Sequence, residues 1–123
     1  MKIKQTALAT ALSILGLNAS SASAFENGLL ILKMSGGRGW TMSCVFDRED
    51  GSSMEKSARG RGRVETFAVR DVTAGACDYA GPRRGELRIR FQDENNPENC
   101  PLTVVSGECL RIVGSDRSGG FSF

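Results

Sequence analysis

Apolar and polar residues alternate with a period of two along several stretches of the chain. Between Trp40 and Phe46, residues Trp40, Met42, Cys44 and Phe46 fall on one side, and Thr41, Ser43 and Val45 on the other. Seven residues of such alternation predict a half-buried strand, central to a small domain. Glu86 to Gln92 repeats the pattern, with Leu87, Ile89 and Phe91 facing in and Arg88, Arg90 and Gln92 facing out. Val64 to Arg70 is strand-like, and Leu102 to Val105 and Leu110 to Val113 are shorter candidates. Leu29 to Met34 is apolar but for Lys33, which predicts a strand buried on both faces, since six residues are too few for a stable helix.

Turn residues punctuate these runs. The glycines of Ser35 to Gly39 predict a hairpin joining the first two strands. Phe25 to Gly28 is expected to fray. Asp47 to Gly62 reads as a polar, irregular loop around the Asp50-Gly51 turn, and Asp71 to Gly81 as a bend across one end of the domain. Pro82-Arg83-Arg84-Gly85 is a turn, Asp93 to Asn99 an acidic loop, and Gly114 to Phe123 a glycine- and serine-rich tail. The tail's Phe121 and Phe123 are expected to pack into the core. A membrane barrel would need strands of about 9 to 11 residues, longer than those found here. Six to seven short strands with no long helical pattern define an all-β fold, a small antiparallel β-sandwich or barrel.

The first 24 residues stand apart. A basic start (Lys2, Lys4), a short apolar run from Ala7 to Leu17 and the small-residue site Ala22-Ser23-Ala24 predict an export signal. The apolar run is well short of the ~20 residues that span a bilayer, so no membrane span is expected. Cleavage after Ala24 leaves a single β domain, 25–123, in the periplasm or the medium.

Export changes how the cysteines read. Cys44, Cys77, Cys100 and Cys109 form an even set in a short exported chain, which predicts two disulfides. Of the three pairings, Cys44–Cys77 with Cys100–Cys109 is favoured, because the second pair brackets a short insert suited to closing a loop. With no C-x-x-C pair and no histidine, neither a metal nor another cofactor is expected.

Charge narrows the function. Loss of Lys2 and Lys4 leaves a near-neutral protein, so nucleic acid is not an expected partner. Without histidine, the chain lacks Ser-His-Asp and Cys-His machinery. Glu65 and Glu86 are the carboxylates to consider for glycoside hydrolysis, and Asp47 to Gly51 only faintly resembles a calcium loop. The basic positions are mostly arginine. Arg59, Arg61 and Arg63 with Arg83, Arg84, Arg88 and Arg90 are the candidate contact residues, because the guanidinium fork suits planar anions. The expectation is an exported, non-catalytic binding module that meets a protein, or an anionic glycan or surface. A structural or accessory envelope subunit is the alternative, and a small carboxylate-based hydrolase is a further one.

Overall fold

In the computed structural model, residues 28–123 are described; the expected export signal over 1–24 lies outside them. Nine strands run in chain order: β1 (Leu29–Gly36), β2 (Thr41–Arg48), β3 (Ser53–Arg59), β4 (Glu65–Arg70), β5 (Val72–Ala80), β6 (Leu87–Asp93), β7 (Thr103–Val105), β8 (Glu108–Val113) and β9 (Ser118–Ser122). They form two antiparallel sheets, β9-β5-β2-β3 and β4-β1-β6-β8-β7. The fold is therefore all-β and sandwich-like, not a closed barrel, with no helix among the described residues.

Alternation builds the core. β2 and β6 bury every second residue, giving Met42, Cys44 and Phe46 from one sheet and Leu87, Ile89 and Phe91 from the other. β1 does the same with Leu30, Leu32 and Met34, while Ile31 is half-buried and Lys33 exposed. It is thus buried on one face, not on both. No hairpin joins β1 and β2 either. Residues 37–40 carry the chain from one sheet to the other, because the two apolar faces bury more surface by packing face to face than by pairing edge to edge. Of the start expected to fray, residues 25–27 lie outside the described residues, and Gly28 is buried, its carbonyl accepting the Asp71 N–H at 3.3 Å.

Three strands occupy stretches that read from sequence as loop, bend or tail. β3 lies at a sheet edge, where Met54, Lys56 and Ala58 supply a weak inner face. β5 is an interior strand built from small residues, and β9 pairs with it. Gly75 on β5 must lack a side chain, because a Cβ there would stand 2.5 Å from the Phe123 ring. That ring plugs the core, 5.9 Å from Phe46 and 5.3 Å from Phe91 between centroids. β4 and β5 belong to different sheets yet are separated by Asp71 alone, whose φ of 60° makes the turn.

Both favoured disulfides are present. Cys44–Cys77 joins directly opposed residues of β2 and β5 inside the core, and Cys100–Cys109 ties the segment after β6 to β8. On the open side of the sandwich, Arg111 reaches inward from β8. It donates to the Tyr79 hydroxyl at 2.9 Å and to the Gly120 carbonyl at 3.3 Å, with its guanidinium about 6 Å from the Tyr79 and Phe121 rings.

Candidate functional site: an arginine-rich end

Strand parity sorts the connections. Those after β1, β3, β5 and β8 all emerge at one end of the sandwich, and each crosses between the sheets. That end carries Arg38, Arg59, Arg61, Arg63, Arg83, Arg84 and Arg117 against Glu65, Glu86 and Asp116. The other end collects Asp47, Glu49, Asp50, Asp71, Asp93, Glu94, Glu98 and Glu108 against Arg48 and Arg70. A nearly neutral domain is thereby polarised along the strand direction.

Main-chain hydrogen bonds knit the four connections of the arginine end together. Gly39 N–H donates to Gly60 at 3.1 Å, and Gly37 N–H to Glu86 at 3.0 Å. Asp116 N–H donates to Pro82 at 2.9 Å, and the Ser115 hydroxyl to Gly85 at 2.8 Å. Trp40 is fully buried beneath this network and exchanges main-chain contact with Gly60, whose N–H donates to the Trp40 carbonyl at 2.8 Å. The loops are held by backbone, which leaves their arginine side chains facing solvent.

Among the described residues, Arg38, Arg59, Arg61, Arg83, Arg84 and Arg117 make no ion pair within 4.0 Å. Arg38, Arg83 and Arg84 line a shallow hollow of ≈ 710 Å³ with Asp116 as its single carboxylate. The Arg38 guanidinium also lies close beside Gly62, linking that hollow to the Arg61–Arg63 stretch. Val64 adds an exposed apolar contact, 58% accessible, beside the arginines. A carboxylate-rich surface meeting this end finds several unpaired forks on a rigid frame, the arrangement suited to charge-assisted, bidentate hydrogen bonds.

The expected contact residues divide. Arg59, Arg61, Arg63, Arg83 and Arg84 come together at this end. Arg88 and Arg90 stand on the outer face of β6, where Arg88 pairs with Glu86 at 3.0 Å and Arg90 with Glu108 at 3.8 Å. Arg63 is itself tied to Glu65 at 3.1 Å. Arg38 and Arg117 belong to the cluster but are not among the sequence-derived candidates. The readable signal is an arginine inside a glycine or serine turn, combined with knowing which turns share an end.

Of the carboxylates considered for catalysis, Glu65 pairs with Arg63 and Glu86 with Arg88. Asp50 accepts the Ser52 hydroxyl at 2.6 Å and the Ser52 N–H at 2.9 Å. Those bonds, led by the hydroxyl, hold its carboxyl below the ordinary range, with Arg48 assisting. Asp47 accepts the Ser53 hydroxyl at 2.9 Å. Among the described residues no group of three or more His, Cys, Asp or Glu side chains is placed to hold a metal ion, and no helix is long and apolar enough to cross a membrane.

The site belongs to a two-sheet, disulfide-bridged antiparallel sandwich with a cationic loop end. No protein-family model matches the chain, and no curated protein or solved structure is significantly similar to it.

Proposed function

We propose that this chain is an exported, non-catalytic binding module that docks the acidic surface of a partner protein through its arginine end. The observation that carries the reading is the set of unpaired guanidinium groups on four connections locked together by main-chain hydrogen bonds. A rigid frame loses little freedom on docking, so a few arginines give useful affinity. Polarisation of the domain turns the arginine end toward an acidic partner during approach and raises the association rate. Two disulfides are compatible with an oxidising compartment, in the periplasm or the medium.

Capture experiments test it. The tagged mature chain is expected to retain an acidic protein from its own compartment. Affinity should fall as salt rises, and Arg61→Ala with Arg84→Ala should weaken capture while leaving the fold intact. Capture indifferent to salt and to those substitutions would refute the reading.

The alternative of an envelope subunit draws on the opposite charge of the two ends, which suits head-to-tail contact between copies. Sedimentation velocity separates the two readings. Concentration-dependent oligomers at low salt that dissolve at high salt favour self-assembly, and a monomer throughout favours the binding module.

A further inference from the structure

A second concavity lies on the outer face of the five-stranded sheet, away from the arginine end. It encloses ≈ 490 Å³, within the ~300–1,000 Å³ typical of small-ligand sites. Its floor is Ile31 and Lys33 of β1 beside Arg90 and Gln92 of β6. Asp93, Glu94, Pro97 and Glu108 complete the lining, the Asp93 carboxylate being taken up by its own turn.

Two features of this floor need explaining. Lys33 stands directly opposite Arg90 in the β1–β6 register, on the same exposed face. Like charges at directly opposed positions of an antiparallel pair repel. Lys33 has no ion-pair partner among the described residues, and Arg90 reaches only Glu108, at 3.8 Å. An anion seated between the two cations would remove that repulsion.

The rim is built, not loose. Asp93 accepts the main-chain N–H groups of Asn95 and Asn96 at 3.1 and 3.3 Å, and the Asn99 side-chain amide at 3.2 Å. Glu94 N–H donates to the Leu29 carbonyl at 2.9 Å. The Cys100–Cys109 bridge then fastens the segment to β8. Residues 93–100 are thus fixed as a wall, while the Glu94 carboxylate makes no ion pair among the described residues.

We infer that this hollow binds an acidic saccharide, a uronic-acid residue or a short chain of them. Lys33 and Arg90 donate to the ligand carboxylate. Glu94 and Glu108 accept its hydroxyls, Gln92 supplies either role, and Ile31 meets the apolar face of the sugar ring. The mixed lining selects for this chemistry. A phosphate dianion brings about twice the negative charge past the same carboxylates and has no ring hydroxyls to donate to them, and a neutral sugar offers Lys33 no counter-charge.

The test is a titration of the ¹⁵N-labelled protein followed by amide chemical shifts. Glucuronate and a glucuronate-containing disaccharide are the ligands, with glucose and inorganic phosphate as comparisons. Saturable shifts at residues 31–33, 90–94 and 106–108 are expected for the uronates, with none for glucose and weaker ones for phosphate. Lys33→Gln and Arg90→Gln lie on an exposed face, so the spectrum itself verifies that they fold. Each is expected to weaken uronate binding by about tenfold, a change of about 1.4 kcal/mol. The inference is overturned if shifts are absent at millimolar uronate, if they are confined to the arginine end, if phosphate binds as tightly at the same residues, or if both variants bind as the unaltered chain does. Each of these outcomes is independent of whether the arginine end captures a protein.

Discussion

Gly60→Ala adds one methyl group where the core meets the arginine end. A Cβ at position 60 would overlap the Trp40 ring at Cδ1 and Nε1 and stand 2.7 Å from the Gly37 carbonyl oxygen. Neither obstacle is the far end of a flexible side chain. The ring is fully buried, and the carbonyl belongs to a connection held on both sides by hydrogen bonds. Overpacking of this kind costs about 1–3 kcal/mol, and immobile partners place it at about 3. Alanine also restricts the unfolded chain, which offsets about 0.4–1 kcal/mol. The net loss expected is therefore about 2 kcal/mol. For a domain of this size that is a fall in Tm of roughly 8–16 °C.

Urea unfolding followed by the emission of Trp40, the only tryptophan, measures the loss and watches the obstructed ring at once. A double-mutant cycle with Trp40→Val, followed by circular dichroism, isolates the cause. Valine has no atom beyond Cγ, so it removes the obstructing Cδ1 and Nε1 and with them the one buried side-chain polar atom lacking a partner among the described residues. Gly60→Ala should therefore cost at least about 1 kcal/mol less in the Trp40→Val background than in the parent chain. The unfolded-state contribution is common to both backgrounds and cancels. Strictly additive costs, or a Gly60→Ala protein within about 0.5 kcal/mol of the parent with unshifted emission, would refute the reasoning that the indole ring bars a side chain at position 60.

Three further outcomes follow from the same contacts. Replacing Cys44 and Cys77 by alanine should cost about 4 kcal/mol in urea unfolding, and replacing Cys100 and Cys109 about 3, since the sequence separations are 33 and 9; the reverse order would contradict the assignment of the core bridge. Phe123→Ala should cost about 2 kcal/mol, less than the ~3–5 of a fully buried phenylalanine, because its ring is half-buried against Phe46 and Phe91; a cost indistinguishable from zero would show the ring is no plug. Ser52→Ala should move the Asp50 titration, read by carbonyl NMR, back up toward the ordinary carboxylate range, and an unmoved midpoint would show that the hydroxyl is not the cause. With Asp50's folded value below its unfolded ~3.9, its contribution is present above that pH and is lost as pH falls through the folded value.

Strand identity is legible in the sequence wherever one face is strongly apolar, as in β2 and β6. It is illegible where the core face is supplied from elsewhere. β5 presents Gly75, Cys77 and Tyr79 inward, and the missing volume at Gly75 is the Phe123 ring, 48 positions away in sequence. β3 hides because an edge strand buries little, and β9 because two of its five residues are glycine. Those omissions have a consequence for the site. Each strand reverses the chain, so missing β3 and β5 scrambles which turns share an end. The arginine pairs are visible as residues, but Arg38 and Arg117 cannot be placed beside them. Arg88 and Arg90 group with them by sequence, although the β6 pleat turns both onto the sheet face. Spacing alone favours the disulfide pairing, and the register of β2 against β5 explains the first bridge in a way spacing cannot.

The two ends differ in how their charges are used, and that difference bears on function more than their sign. At the acidic end, Asp47, Asp50 and Asp93 accept hydrogen bonds from the hydroxyl, main-chain N–H and amide groups of their own turns. Those carboxylates hold the turns in shape, and their removal would give those donors over to water and loosen the turns. At the arginine end the corresponding work falls to the main chain, through Gly37, Gly39, Gly60 and Asp116, and to the Ser115 hydroxyl. The guanidinium groups of Arg38, Arg59, Arg61, Arg83, Arg84 and Arg117 therefore satisfy nothing within the fold. Alanine at any of them should leave stability within about 0.5 kcal/mol, as for surface positions without structural duty. Alanine at Asp50 or Asp93 should lower it measurably. A surface whose charged residues are dispensable to folding, on a frame that is not, is the arrangement a contact function requires. Loss of stability across the arginine series, with none at Asp50 and Asp93, would reverse the assignment of the two ends.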